Sequence, residues 1–364
     1  MSNLRSRRYM LGALGASAAG APFVASLFGQ GRCQNGYNTK GCPMTQEVAT
    51  APIKPLFEPT GWKTVGLEQI SWQVPDYRKE AAFYIALMGW KLRSDDGKQA
   101  ILDIGDWGNA IFKAAPPEQT TALVDGIGYA IEPWNAKTVE AELRKRGLNP
   151  VADNDGKGFE SFHVKEPDGL DVQLCNTKGL IAARKTPATA KLEVDLPFEA
   201  TGWKTVWLDH FSYVATNYKA TVSFYANLIG WGHAYDEGSQ EEVLMGDVGD
   251  ALIRGGNPND PNFGKPPAEG SGRGGRGGGA GAQRRNVRIN HISFGIQPFD
   301  PDAVKDALEK HGLRHREDTG NTGDIHTTAY KSYHTGTPNG YDLQISCVTK
   351  DTRLIGSVSM KPKQ

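Results

Sequence analysis

Phe57-Glu58-Pro59-Thr60-Gly61-Trp62-Lys63-Thr64-Val65 returns 141 residues later as Phe198-Glu199-Ala200-Thr201-Gly202-Trp203-Lys204-Thr205-Val206. The register then holds without a gap. Phe83-Tyr84 maps onto Phe224-Tyr225, Gly89-Trp90 onto Gly230-Trp231, and Gly105-Asp106 onto Gly246-Asp247. A chain that repeats itself in this way is two copies of one unit. A fainter echo divides each copy again. The segment from Val139 to Leu148 answers to the segment from Val304 to Leu313, now at an offset of 165. The second copy therefore carries 24 extra residues, and the stretch from Gly255 to Asn286 accommodates them. Its Gly-Arg-rich composition buries too little apolar surface to order itself, so it reads as a linker inserted in the second copy.

Each quarter has the same layout. In the first, Gln69-Ile70-Ser71-Trp72-Gln73-Val74 alternates like a strand, and an amphipathic helix runs from Tyr77 to Leu87. The helix stops at Met88-Gly89-Trp90, with glycine as the C-terminal signal. Short strands follow, broken by Asp-Gly, Gly-Asp and Pro-Asp-Gly turns. One strand, one helix and three strands, four times over, predict an α+β chain of four βαβββ modules with curved mixed sheets.

The chain of 364 residues balances 41 basic against 41 acidic side chains. Zero net charge argues against a nucleic-acid binder. No apolar run reaches the length of a stable membrane span. Ser6-Arg7-Arg8-Tyr9-Met10-Leu11, followed by a small-residue apolar stretch to Phe28, predicts an export signal of the twin-arginine type over 1–30 and a periplasmic or secreted address. Cys33 and Cys42 fall in the linker 31–56, where an oxidising compartment allows a small disulfide loop. Cys175 and Cys347 read as buried free thiols. The expected organisation is one N-terminal unit over 57–180, a linker over 181–197, a C-terminal unit over 198–350 with its insertion at 255–286, and a tail over 351–364.

The strand–helix–three-strand unit, with Phe-Tyr and Gly-Trp closing its helix, resembles the vicinal oxygen chelate superfamily. That group includes glyoxalase I, bleomycin-resistance proteins and extradiol dioxygenases. The resemblance spans roughly residues 60 to 350. It is carried also by Asp209-His210-Phe211-Ser212-Tyr213, Asn290-His291-Ile292-Ser293-Phe294, Glu166-Pro167-Asp168-Gly169 and Thr337-Pro338-Asn339-Gly340. It implies two glyoxalase-like domains whose paired modules surround a cleft, a small-molecule ligand or substrate, and a candidate homodimer.

In such proteins metal ligands come from the first strands of two paired modules and from a last strand. The second copy offers His210, His291 and Gln344 at those places; the first offers Gln69, Gly126 and Gln173. Glycine has no ligating side chain, so the resemblance assigns any Fe, Mn, Zn or Ni ion to the second copy. There two imidazoles from separate module sheets would meet in one hollow and leave positions open for substrate. Ile325-His326, Ser332-Tyr333 and the Thr337-Pro338-Asn339-Gly340 turn resemble a degraded extradiol dioxygenase signature. By that likeness His326 is an acid–base candidate and Tyr333 a hydrogen-bond donor. The competing reading makes both ordinary hairpin residues. Two functions stay open: a metal-dependent lyase, isomerase or dioxygenase acting on vicinal oxygens, and a metal-free small-molecule binder of the bleomycin-resistance kind.

Overall fold

The computed structural model describes residues 55–178, 188, 190–236, 240–255, 287–320 and 323–353. The export-type segment, the Cys33–Cys42 pair, the Gly-rich insertion beyond Gly255 and the tail beyond Arg353 lie outside them.

The four modules follow the predicted order. The first holds β1 (Lys63–Val74), α1 (Tyr77–Met88), β2 (Lys91–Asp95), β3 (Gln99–Ile104) and β4 (Gly108–Ala114). The second holds β5 (Leu123–Glu132), α2 (Ala136–Lys145), β6 (Val151–Ala152), β7 (Ser161–Lys165) and β8 (Asp171–Cys175). The third holds β9 (Lys204–Val214), α3 (Tyr218–Ile229), β10 (Gly232–Asp236), β11 (Gln240–Leu244) and β12 (Gly249–Arg254). The fourth holds β13 (Arg288–Gln297), α4 (Pro301–Lys310), β14 (Arg316–Asp318), β15 (Ser332–Gly336) and β16 (Asp342–Ser346). Each helix starts where a short polar side chain, Asp76, Asn135, Asn217 or Asp300, accepts a backbone N–H of the first turn.

Modules pair in sequence. The first two build one eight-stranded sheet in the order β2-β3-β4-β1-β5-β8-β7-β6, and the last two build its twin, β10-β11-β12-β9-β13-β16-β15-β14. The central joints, β1 with β5 and β9 with β13, are antiparallel. Each half is thus one continuous sheet, and the expectation of separate sheets for His210 and His291 is corrected: the two residues stand on neighbouring strands.

The repeated Thr-Gly-Trp segment is where the halves clasp each other. Thr60 Oγ1 donates to the Leu228 carbonyl at 2.6 Å, and Thr201 Oγ1 to the Leu87 carbonyl at 2.8 Å. Trp90 Nε1 donates to Thr205 Oγ1 at 2.8 Å, and Trp231 Nε1 to Thr64 Oγ1 at 3.1 Å. Each indole stacks on the tyrosine of its own helix, Trp90 on Tyr84 and Trp231 on Tyr225. Trp90 also meets Phe294 of the other half edge-on at 5.2 Å, and such pairs add about 0.5–1.5 kcal/mol beyond area burial. The motif recurs because each copy needs it to hold the other, and one apolar core runs through both halves.

Candidate functional site

Strand β9 slips by one residue at Asp209 against both neighbours: Leu208 pairs Gly249 and Phe294, while the next pairing is His210 with Asp250 and Ser293. Strand β13 slips in the same way at Asn290, since Ile289 faces Tyr213 and His291 faces Ser212. A bulge of this kind re-aims side chains and leaves one residue out of the ladder. On β9 it lets the carboxylate of Asp209 reach the same side as the His210 imidazole. From His210 a lateral row runs across six strands through Asp250, His210, Ser293, Gln344, His334 and Arg316. His291 lies two positions before Ser293 and so shares its face. The opposite face carries Phe211, Tyr213, Ile292, Phe294, Leu343 and Ile345, all buried in the core.

His210 and His291 turn their Nε2 atoms toward each other at 3.3 Å, with rings nearly perpendicular. Both are buried, at 4% and 9% exposure. Asp209 Oδ2 sits 3.4 Å from His210 Nδ1 and accepts Ser293 Oγ at 2.8 Å. Burial opposes a charge on His210, but the Asp209 carboxylate, with Glu242 and Asp318 farther off, holds its pKa above the usual imidazole value. His291 goes the other way. Burial, with the charges of His210, Arg254, His334 and Arg316, pushes it well below that value. One imidazole can therefore carry an Nε2 proton while its neighbour offers a lone pair.

Gln344 is buried beside them in the row. Its Nε2 donates to the Tyr330 hydroxyl at 2.9 Å and to Ser332 Oγ at 2.7 Å, while its Oε1 is buried without a hydrogen-bond partner. His334 packs its ring 5.0 Å from that of His291. Each of its ring nitrogens faces a carboxylate at 3.2 Å, Nδ1 toward Asp342 and Nε2 toward Asp318.

Of the residues suggested by the dioxygenase likeness, neither joins this group. His326 is exposed on a turn, held by Asp324 and by Asp302 of α4. Tyr333 is 1% exposed within the apolar core, because it alternates with His334 and points to the opposite face. Sequence reasoning gave no site role to Asp209 or Tyr330 and read His334 as a hairpin residue.

The N-terminal half is an internal control. It repeats the carboxylate-flanked histidine, with His163 Nδ1 2.5 Å from Asp171 and Nε2 3.5 Å from Asp153. It also repeats the buried glutamine: Gln173 Nε2 donates to Ser161 Oγ at 2.9 Å, and its Oε1 likewise lacks a partner. Gln69 and Gly126 replace the two histidines. A side chain at Gly126 would meet Asp171 at 3.2 Å and Ser71 at 3.3 Å, so the strands there close over the space. The facing imidazoles are one difference between the two faces; Gly128 for Ser293 and Asn109 for Asp250 are others. A groove of about 1070 Å³ between Lys63, Trp134, Lys137 and Lys178 belongs to the N-terminal half and does not touch the imidazoles.

Two nitrogens bound to one ion at about 2.1 Å stand roughly 3.0–3.4 Å apart, and the observed 3.3 Å meets that requirement. Gln344 Oε1, buried without a hydrogen-bond partner in the same lateral row as His210, is a neutral amide oxygen of the type that can accompany two imidazoles. Among the described residues no three His, Cys, Asp or Glu side chains gather at one point, so no carboxylate completes the set.

No family model matches the chain, and no curated protein matches it. Solved structures do. The 2,3-dioxygenase LapB from Pseudomonas sp. KL28 superposes with a TM-score of 0.53 at 14% identity, over 78% of this chain and 92% of that one. The Mn(II)-bound glyoxalase from Novosphingobium aromaticivorans gives 0.53 at 14% identity, over 83% and 96%. A variant of homoprotocatechuate 2,3-dioxygenase from B. fuscum gives 0.52 at 16% identity, over 82% and 74%. Two eight-stranded mixed sheets of α+β modules thus give this chain the fold of these solved dioxygenase and glyoxalase structures.

Proposed function

We propose that the C-terminal half binds a divalent metal ion, of the Fe, Mn, Zn or Ni kind, through His210, His291 and Gln344, and acts on a small molecule with neighbouring oxygens. The observation that carries this reading is the 3.3 Å approach of two buried Nε2 atoms, where the equivalent N-terminal positions are Gln69 and Gly126. The named metal of the glyoxalase neighbour supports the same class of ion.

A bound ion would draw electron density from two substrate oxygens and so favour lyase, isomerase or ring-cleavage chemistry. The protein's own side chains do the rest. Asp209 orients His210 through Nδ1 so that Nε2 faces the site. Tyr330 and Ser332 hold the amide of Gln344. His334, fixed between Asp318 and Asp342, stands beside His291 as a polar wall. His326 and Tyr333 lie outside this group.

The facing imidazoles also favour a second reading. A proton on one Nε2 completes an N–H···N hydrogen bond without any ion, which suits a metal-free binding protein of the bleomycin-resistance type. Elemental analysis of purified protein separates the two. The metal reading expects about one divalent ion per chain, lost in His210→Ala; less than about a tenth of an equivalent after reconstitution would favour the binder. The Arg7-Arg8 segment supports export to the periplasm, which cell fractionation would test.

A further inference from the structure

A tyrosine hydroxyl has one proton to give, and the buried hydroxyl of Tyr330 has two neighbours asking for different things. Asp209 Oδ2, at 3.1 Å, can only accept. The Gln344 amide, at 2.9 Å, can offer either end. Once the proton goes to Asp209, the oxygen lone pair is what faces Gln344, so the amide must present its NH2. Ser332 Oγ makes the same demand at 2.7 Å, because its own proton goes to the Asp318 carbonyl at 2.7 Å. Gln344 Oε1 is left as the unpartnered end.

We propose that Tyr330 is a positioning residue that polarises this chain, turning Gln344 Oε1 away from the hydrogen-bond network as a ligand while holding Asp209 against His210. The proposal rests on the metal reading above. It also accounts for glutamine at position 344. A glutamate there would set a second acceptor against a hydroxyl whose proton is already committed to Asp209. The N-terminal half has Phe159 two residues before Ser161, where the C-terminal half has Tyr330 two residues before Ser332, and it lacks the histidine pair. There the serine alone gives Gln173 the same amide orientation, so what the tyrosine adds is a second acceptor for the amide and the tie to Asp209.

The test uses the intact protein and Tyr330→Phe. In the metal-free state the side-chain NH2 signals of Gln344, assigned by their loss in Gln344→Glu, should both be protected from exchange in the parent. In Tyr330→Phe one of them should exchange at least about ten times faster. Titration with Mn(II) alone should show affinity weakened roughly tenfold to a hundredfold, as for other supports of metal ligands. Asp209→Asn provides a check that keeps the tyrosine in place. In that variant the side-chain amide at position 209 can donate to Tyr330, reversing the chain, so Mn(II) affinity should fall; adding Gln344→Glu, which can accept the redirected proton, should restore it. The gain from Gln344→Glu should therefore be larger in the Asp209→Asn background than in the parent; a merely structural tyrosine would give equal gains in both. Equal protection of both amide protons in Tyr330→Phe, with Mn(II) affinity within about twofold of the parent, would overturn the proposal. If the parent takes up no Mn(II), the metal reading falls, and the exchange rates alone decide whether Tyr330 holds Gln344.

Discussion

Gly89 lies directly beneath the backbone carbonyl of Trp203: a Cβ at this position would stand 2.2 Å from that oxygen. Gly230 repeats the relationship with Trp62 at 2.4 Å. Both glycines also end their helices with positive φ, 69° and 71°. Two demands, a left-handed C-terminus and a close approach of the other half, thus fall on one residue type.

Gly89→Ala is therefore expected to cost more than its backbone conformation alone. A left-handed alanine costs about 1–2 kcal/mol. Gly97 gives that reference, since its φ is 86° and nothing lies within 4 Å of its would-be Cβ. Gly89→Ala should exceed Gly97→Ala by at least about 2 kcal/mol in urea unfolding, because the clasp between the halves must also open. Equal losses would show that the Trp203 contact contributes nothing to stability.

The halves also meet at Glu166 and Tyr213, and this contact titrates. Glu166 Oε1 accepts the Tyr213 hydroxyl at 2.8 Å and the backbone N–H groups of Asp168 and Leu170, while Oε2 is buried without a partner. Burial raises this carboxyl to about 7, against the hydrogen bonds that favour its charge. The folded protein then keeps a proton that the unfolded chain releases near pH 4.5. Between these values the native state binds more protons, so its stability falls as pH rises and levels off above about 7. The contribution is about 3 kcal/mol. Glu166→Gln keeps an acceptor for Tyr213 and should lose most of the decline, about 2 kcal/mol between pH 5 and pH 7.5. Parallel pH profiles for variant and parent would assign the decline to another group.

Four modules could be read from offsets between repeated segments because each repeat serves the same contact in its own half. The facing histidines were legible for a similar reason: both occupy equivalent positions on first strands. Their neighbours were not. Period-two alternation puts Asp209 and His210 on opposite faces, and only the slip in register on β9 brings the carboxylate back to its own histidine. Tyr333 and His334 illustrate the opposite difficulty. A likeness read one residue out of step selects the side chain that packs in the core instead of the one beside His291. Tyr330 precedes β15 in an irregular stretch, where no periodicity signals which way a hydroxyl points.

Metal addition should separate the histidine pair from its surroundings. In protein stripped by a chelator, Mn(II) at a hundred times its dissociation constant should raise unfolding free energy by about 2.7 kcal/mol. His291→Ala should abolish that increment whatever it does to the baseline, because one Nε2 of the 3.3 Å pair is gone. Gln344→Glu should change both quantities in opposite directions. Without metal it adds a buried carboxylate to a network that already contains Asp209, and stability should fall by about 2 kcal/mol. With Mn(II) present the new charge faces a cation, so the metal increment should exceed that of the parent. An unchanged baseline together with an unchanged increment would mean that residue 344 does not face the ion.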